Sequence, residues 1–122
     1  MESEHEEAMR AEFTARTKLM DSIYAPGVTE DRCNQICDDV DVVDERWTQG
    51  PHSAQWQYLS DCHTDWRDRP ETMQRFLDNV EHNRARGWDA GLDEVQRRSQ
   101  YQARELTAPQ RIRRRGPVQR ER

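Results

Sequence analysis

Cys33, Ile36, Val40, Val43 and Trp47 follow one another at intervals of 3, 4, 3 and 4 residues. An α-helix turns once in about 3.6 residues, so this spacing lines five side chains along one stripe. A seam of that kind is used by packing one helix lengthwise against another. The segment also has a start and a stop. Thr29, followed by Glu30 and Asp31, supplies an N-cap and negative charge for the helix N-terminus, and Gly50-Pro51 ends the run.

The rest of the chain divides in the same way at glycine and proline. A first helix is expected from about Glu4 to Tyr24, ahead of Pro26-Gly27. Its stripe is Met9, Phe13, Met20 and Ile23, with Arg16 where the stripe should continue. Ser53 can cap a third helix to about Arg67, carrying Trp56, Leu59, His63 and Trp66. Pro70 suits the first turn of a fourth with Met73, Phe76, Leu77 and Val80. Beyond Gly87, Asp89 can start a fifth helix with Leu92, Val95 and Leu106, although Ser99 and Gln102 give it a polar middle, and Pro109 is expected to close it. No stretch alternates with period two long enough to make a strand. The sequence therefore predicts an all-α bundle of four or five helices with a flexible basic C-terminal tail: an acidic helical body over residues 1–109 and an arginine-rich tail over 110–122.

Composition limits what such a bundle can bury. Of 122 residues, 33% are hydrophobic and 35% charged, which leaves material for narrow seams between solvated helices and little more. The net charge of −5 hides two opposed pieces. Residues 110–122 hold Arg111, Arg113, Arg114, Arg115, Arg120 and Arg122 against Glu121, a net +5; the 13 cations and 23 acids of residues 1–109 leave −10. Lys18 is the lone lysine, so recognition through cations falls to arginine, whose planar fork binds phosphate or carboxylate bidentately. No run of apolar residues is long enough to span a membrane, the acidic N-terminus lacks the layout of a signal peptide, and three scattered cysteines do not make a disulfide framework. A cytoplasmic protein is expected.

Catalytic patterns do not emerge. There is no G-x-S-x-G elbow, no phosphate-cradling glycine loop and no H-E-x-x-H. Cys33 and Cys37 share a helix face, and with Cys62 and His63 could supply four zinc ligands, but short knuckle pairs are missing and Cys33 already belongs to the seam. Paired carboxylates at Asp41 and Glu45, or Asp61 and Asp65, lack the two helical Glu-x-x-His motifs of a di-iron bundle; Glu2 to His5 is the one match. The expectation is a non-enzyme with no cofactor and no metal.

Two surfaces stand out. Arg84, Arg86, Arg97, Arg98 and Arg104 lead toward Arg111, Arg113, Arg114 and Arg115, a basic strip suited to the phosphates of RNA or single-stranded DNA. Asp38, Asp39 and Asp41, opposite the seam of the second helix, suit a basic protein partner, and Trp88 beside Gly87 is a candidate anchor for such a contact.

A short helical chain of acids and arginines with no catalytic motif resembles the helical-bundle small subunits of CRISPR effector ribonucleoprotein complexes, in architecture and size. The resemblance implies that Arg84, Arg86, Arg97, Arg98 and Arg104 face nucleic acid while acidic faces meet neighbouring subunits, copies of itself included. Tyr101-Gln-Ala-Arg-Glu105 is also similar to the Y-x-x-x-[D/E] signal of small type VII secretion substrates, but Trp47-Thr-Gln-Gly50 is one residue too long for their W-x-G turn. The expected function is a non-catalytic subunit of a nucleoprotein complex involved in antiviral defence. The alternative is a phage- or plasmid-encoded inhibitor or adaptor docking through its acidic faces.

Overall fold

The computed structural model describes the backbone of residues 1–120 and the side chains of residues 1–109. The chain is all-α: α1 (Ser3–Asp21), α2 (Glu30–Thr48), α3 (Ser53–Asp68), α4 (Pro70–Ala85) and α5 (Glu94–Arg120), with a 3-10 turn over Ser22–Tyr24 after α1. No strand occurs among the described residues. Packing divides the chain into two compact units, Met1–Gln57 and Tyr58–Arg122, where the sequence suggests one body of 109 residues followed by a tail.

In the first unit, α2 begins as its sequence dictates: the Thr29 hydroxyl accepts the Arg32 N–H at 3.1 Å. Ile36 and Val40 of its seam are buried, and Cys33, Val43 and Trp47 are half-buried. Opposite them α1 buries Met9, Phe13 and Thr17. The pairing is antiparallel, since Glu12 meets Arg46 and Trp47 while Arg16, one turn later, meets Asp44. Trp56, from the start of α3, closes the cluster. Its indole stacks on that of Trp47, with centroids 5.4 Å apart and planes 7° from parallel, and meets the Phe13 ring edge-on at 5.3 Å. Burying side chains of this size contributes roughly 1.5–3 kcal/mol each, against about 0–1 kcal/mol for a partly exposed ion pair, so the apolar seam rather than Arg16–Asp44 holds the hairpin.

Arg16 occupies the gap in the α1 stripe half-buried, reaching across to α2. Its guanidinium reaches Asp44 at 2.6 and 3.0 Å and lies 5.6 Å from the Phe13 ring centroid, while Thr17 fills the buried position beside it.

In the second unit Cys62, Trp66, Met73, Leu77 and Ala103 form the core, with Tyr58 and Tyr101 against it. Here α5 departs from expectation three times. It starts at Glu94 rather than at Asp89, because the Asp89 carboxylate accepts the Gly91 N–H at 2.9 Å and Gly91 takes φ +79°, a left-handed conformation that cannot enter a right-handed helix. The cap is Asp93, which takes the Gln96 N–H at 2.7 Å and gives its own to the Gln96 side chain at 3.0 Å, a reciprocal capping box.

The buried stripe of α5 is also not the apolar one. Ser99, Gln100, Ala103 and Thr107 face inward, and Leu92, Val95 and Leu106 are half-buried. Bulky Trp66 and Tyr58 on α3 fill the space, so small residues suit the facing helix. Gln100 also satisfies both aromatic polar ends, accepting the Trp66 indole N–H at 2.9 Å and donating to the Tyr58 hydroxyl at 2.9 Å. Nor does the helix end at Pro109: its backbone continues to Arg120, because a proline ring removes a single N–H and the carbonyl it would have served, on exposed Glu105, can turn to water.

Candidate nucleic-acid and protein interfaces

The division at Gln57 separates charge as well as packing. Residues 1–57 contain 13 acids and 5 cations, a net −8, and residues 58–122 contain 14 cations and 11 acids, a net +3.

On α2 the seam spacing forces Asp38, Asp41 and Glu45 onto the opposite side of the helix, with Asp39 on its flank. Asp38, Asp39 and Asp41 are all exposed, and among the described residues none of the three makes a hydrogen bond or an ion pair. Val42, which follows Asp41, is 61% exposed. The acids that pair between the two helices are Asp44, with Arg16, and Glu12, with Arg46, and both pairs serve the hairpin.

The arginines of the second unit are disposed differently. Arg97 gives two N–H bonds to Glu81, at 2.8 and 2.7 Å, and stacks 5.4 Å from the Tyr101 centroid. Arg104 covers the same ring at 4.9 Å and donates to the Gln74 side-chain oxygen, Oε1, at 3.4 Å. Arg84 meets Glu94 at 3.1 Å. These contacts pair α4 with α5 in antiparallel fashion and leave Arg84 and Arg97 partly neutralised. Arg98 is exposed, and so is Arg86, whose guanidinium lies 5.4 Å from the Trp88 ring centroid. Arg111, Arg113, Arg114 and Arg115 lie outside the residues whose side chains are described.

Glu81 and Tyr101 are central to this arrangement, although Glu81 does not stand out in the sequence and Tyr101 does so only within the Y-x-x-x-[D/E] pattern. The Glu81 carboxyl is held down to about 2, chiefly by the Arg97 hydrogen bonds and next by the Tyr101 hydroxyl. The Tyr101 hydroxyl is pushed up, first because it donates to Glu81 and then by burial. The tyrosine of the Y-x-x-x-[D/E] pattern is thus engaged within its own unit. A helix pair four or more turns long, with opposite charges on facing sides, was the available signal.

Cys33 and Cys37 belong to the first unit, half-buried and exposed respectively, while Cys62 is buried in the core of the second, in the turn that also carries His63. Among the described residues no three His, Cys, Asp or Glu side chains converge as a metal set. Among them, too, no helix is long and apolar enough to cross a membrane.

Comparison with protein-family models, curated proteins and solved structures found no match for this chain.

Proposed function

We propose that this chain is a non-catalytic helical subunit of a nucleoprotein assembly, contacting protein through its first unit and nucleic-acid backbone through its second. The separation of −8 from +3 at the boundary between the units supports this reading most directly. Unpaired, exposed Asp38, Asp39 and Asp41 suit a basic protein surface, while Arg86, Arg98 and the arginines beyond Pro109 suit phosphate. The architectural resemblance to the small subunits of CRISPR effector complexes points the same way.

Binding of generic RNA or single-stranded DNA by the purified chain should fall steeply between low and moderate salt, as counterion release requires, and truncation after Pro109 should weaken it and flatten the salt slope. No binding at low salt would exclude the reading.

A second reading, a protein-interaction module without nucleic acid, is favoured by one observation: Arg84 and Arg97 pair with carboxylates of their own unit. In that case replacing Asp38, Asp39 and Asp41 with asparagine abolishes partner binding and truncation after Pro109 leaves it intact.

A further inference from the structure

We propose that the connection between α4 and α5 is a stacking site for an unpaired nucleobase, with Trp88 as the platform and Arg86 as the cation for the adjoining phosphate. The inference rests on the nucleic-acid reading and deepens it, from contact with any backbone to a preference for single strands.

The end of α4 fixes this tryptophan. Gly87 takes φ +74° and donates its N–H to the Arg84 carbonyl at 3.1 Å, and the Trp88 N–H reaches back to the Asn83 carbonyl at 2.9 Å. Those two bonds define a Schellman motif, which ordinarily turns the next residue's side chain back onto the helix. The indole does meet His82 edge-on, at 6.0 Å and 72°. It nevertheless remains 58% exposed, whereas Trp56 and Trp66 are buried at 3% and 1%. The ring is therefore displayed on a hydrogen-bonded turn.

Arg86 completes the site. Its guanidinium lies 5.4 Å from the Trp88 centroid, and among the described residues it makes no ion pair, in contrast to Arg67, Arg69, Arg84 and Arg97. The cation is oriented by the ring and its charge is not spent on a carboxylate.

The surroundings favour a base over a protein side chain. Arg84, Ala85, Arg86, Gly87 and Asp89 are all exposed, so the turn that carries the ring offers little apolar surface to keep water from a buried protein anchor. A flat ring beside a cation does suit a nucleobase, because every base has a π-face and carries a phosphate within reach. Bases in a duplex already stack on each other, so the site selects single strands.

The test uses the full chain and a fluorescein-labelled oligo(dT), alone and annealed to oligo(dA), at low salt. The single strand should bind more tightly than the duplex and quench tryptophan emission. Trp88→Ala should bind the single strand about tenfold more weakly, the loss of one base–aromatic stack, with unchanged helicity and melting. Trp88→Phe should recover part of the affinity, and Arg86→Ala should lower the salt slope by about one. Undiminished binding by Trp88→Ala overturns the stacking site and leaves backbone binding standing. Failure of the wild-type chain to bind either oligonucleotide overturns both.

Discussion

Arg97 grips Glu81 with two nearly parallel N–H bonds, 2.8 Å from Nε and 2.7 Å from Nη2. A guanidinium that the sequence aligns with a phosphate-binding strip thus joins α5 to α4. The fork geometry explains why: a bidentate pair at a partly shielded site is stronger and more directional than a single exposed contact.

Replacing Glu81 with glutamine should therefore destabilise the protein by about 1–2 kcal/mol, the range for hydrogen bonds to a charged group discounted for partial exposure. The carboxyl sits at about 2 in the folded chain against an ordinary 4.5. Between those values the unfolded chain holds a proton that the folded chain does not, so stability rises with pH. The contribution is complete above about 4.5 and disappears as pH falls toward 2. Denaturant melts across that window should be steeper in wild type than in Glu81→Gln. Arg97→Ala should show the same loss of stability.

At the alkaline end Tyr58 acts with the opposite sense. Burial, the largest cause, pushes its hydroxyl up to about 12 from an ordinary 10, with the Gln100 hydrogen bond opposing. Between those values the unfolded tyrosine is ionised and the folded one is not, so stability is complete below 10 and falls as pH rises toward 12. Tyr58→Phe should shed that dependence. Gln100→Leu should instead cost about 1–2 kcal/mol at neutral pH, because it removes the acceptor of the Trp66 indole N–H and the donor to the Tyr58 hydroxyl. Urea titration at neutral and alkaline pH separates the two effects.

The seam of α2 was legible because its signal is redundant: spacing, cap and stop all agree on Thr29 to Gly50. The inward face of α5 was not. Periodicity weighs side chains by hydrophobicity, and the residues that face Trp66 and Tyr58 are chosen for small volume and for hydrogen bonding. Ser99 and Gln100 look like solvated positions until the aromatic side chains opposite them are known. The boundary at Gln57 was hidden for a related reason, since α3 carries one continuous stripe of which Trp56 serves the first unit and Trp66 the second. Of the expected interaction residues, Asp38, Asp39, Asp41 and Trp88 were readable as exposed, because a seam or a helix break assigns them outward. Arg84 and Arg97 were not readable as paired, because their partners lie 10 and 16 residues away on a different helix.

Gly87 should tolerate no side chain that disfavours positive φ. Nothing lies within 4 Å of a Cβ built there, so the cost of Gly87→Ala is conformational alone, about 1 kcal/mol, and Gly87→Asn should cost less. Thermal melts check the stability. Acrylamide quenching checks the turn, since loosening the Schellman bonds should change the accessibility of Trp88 more than that of the buried Trp56 and Trp66.

Thr17 offers a gain. Its side chain is 3% exposed within the first unit, and among the described residues its hydroxyl has no hydrogen-bond partner. A buried hydroxyl without a partner carries its desolvation cost uncompensated, roughly 1–3 kcal/mol. Valine keeps the branched shape and removes that cost, so Thr17→Val should stabilise the protein by about 1 kcal/mol and raise Tm by about 4 °C. Serine tests the assignment from the other side: Thr17→Ser keeps the hydroxyl and deletes the methyl group that packs in the seam, so it should lower Tm. If valine lowers Tm as well, the hydroxyl is bonded in solution and Thr17 is a polar link of α1 rather than filler beside Arg16.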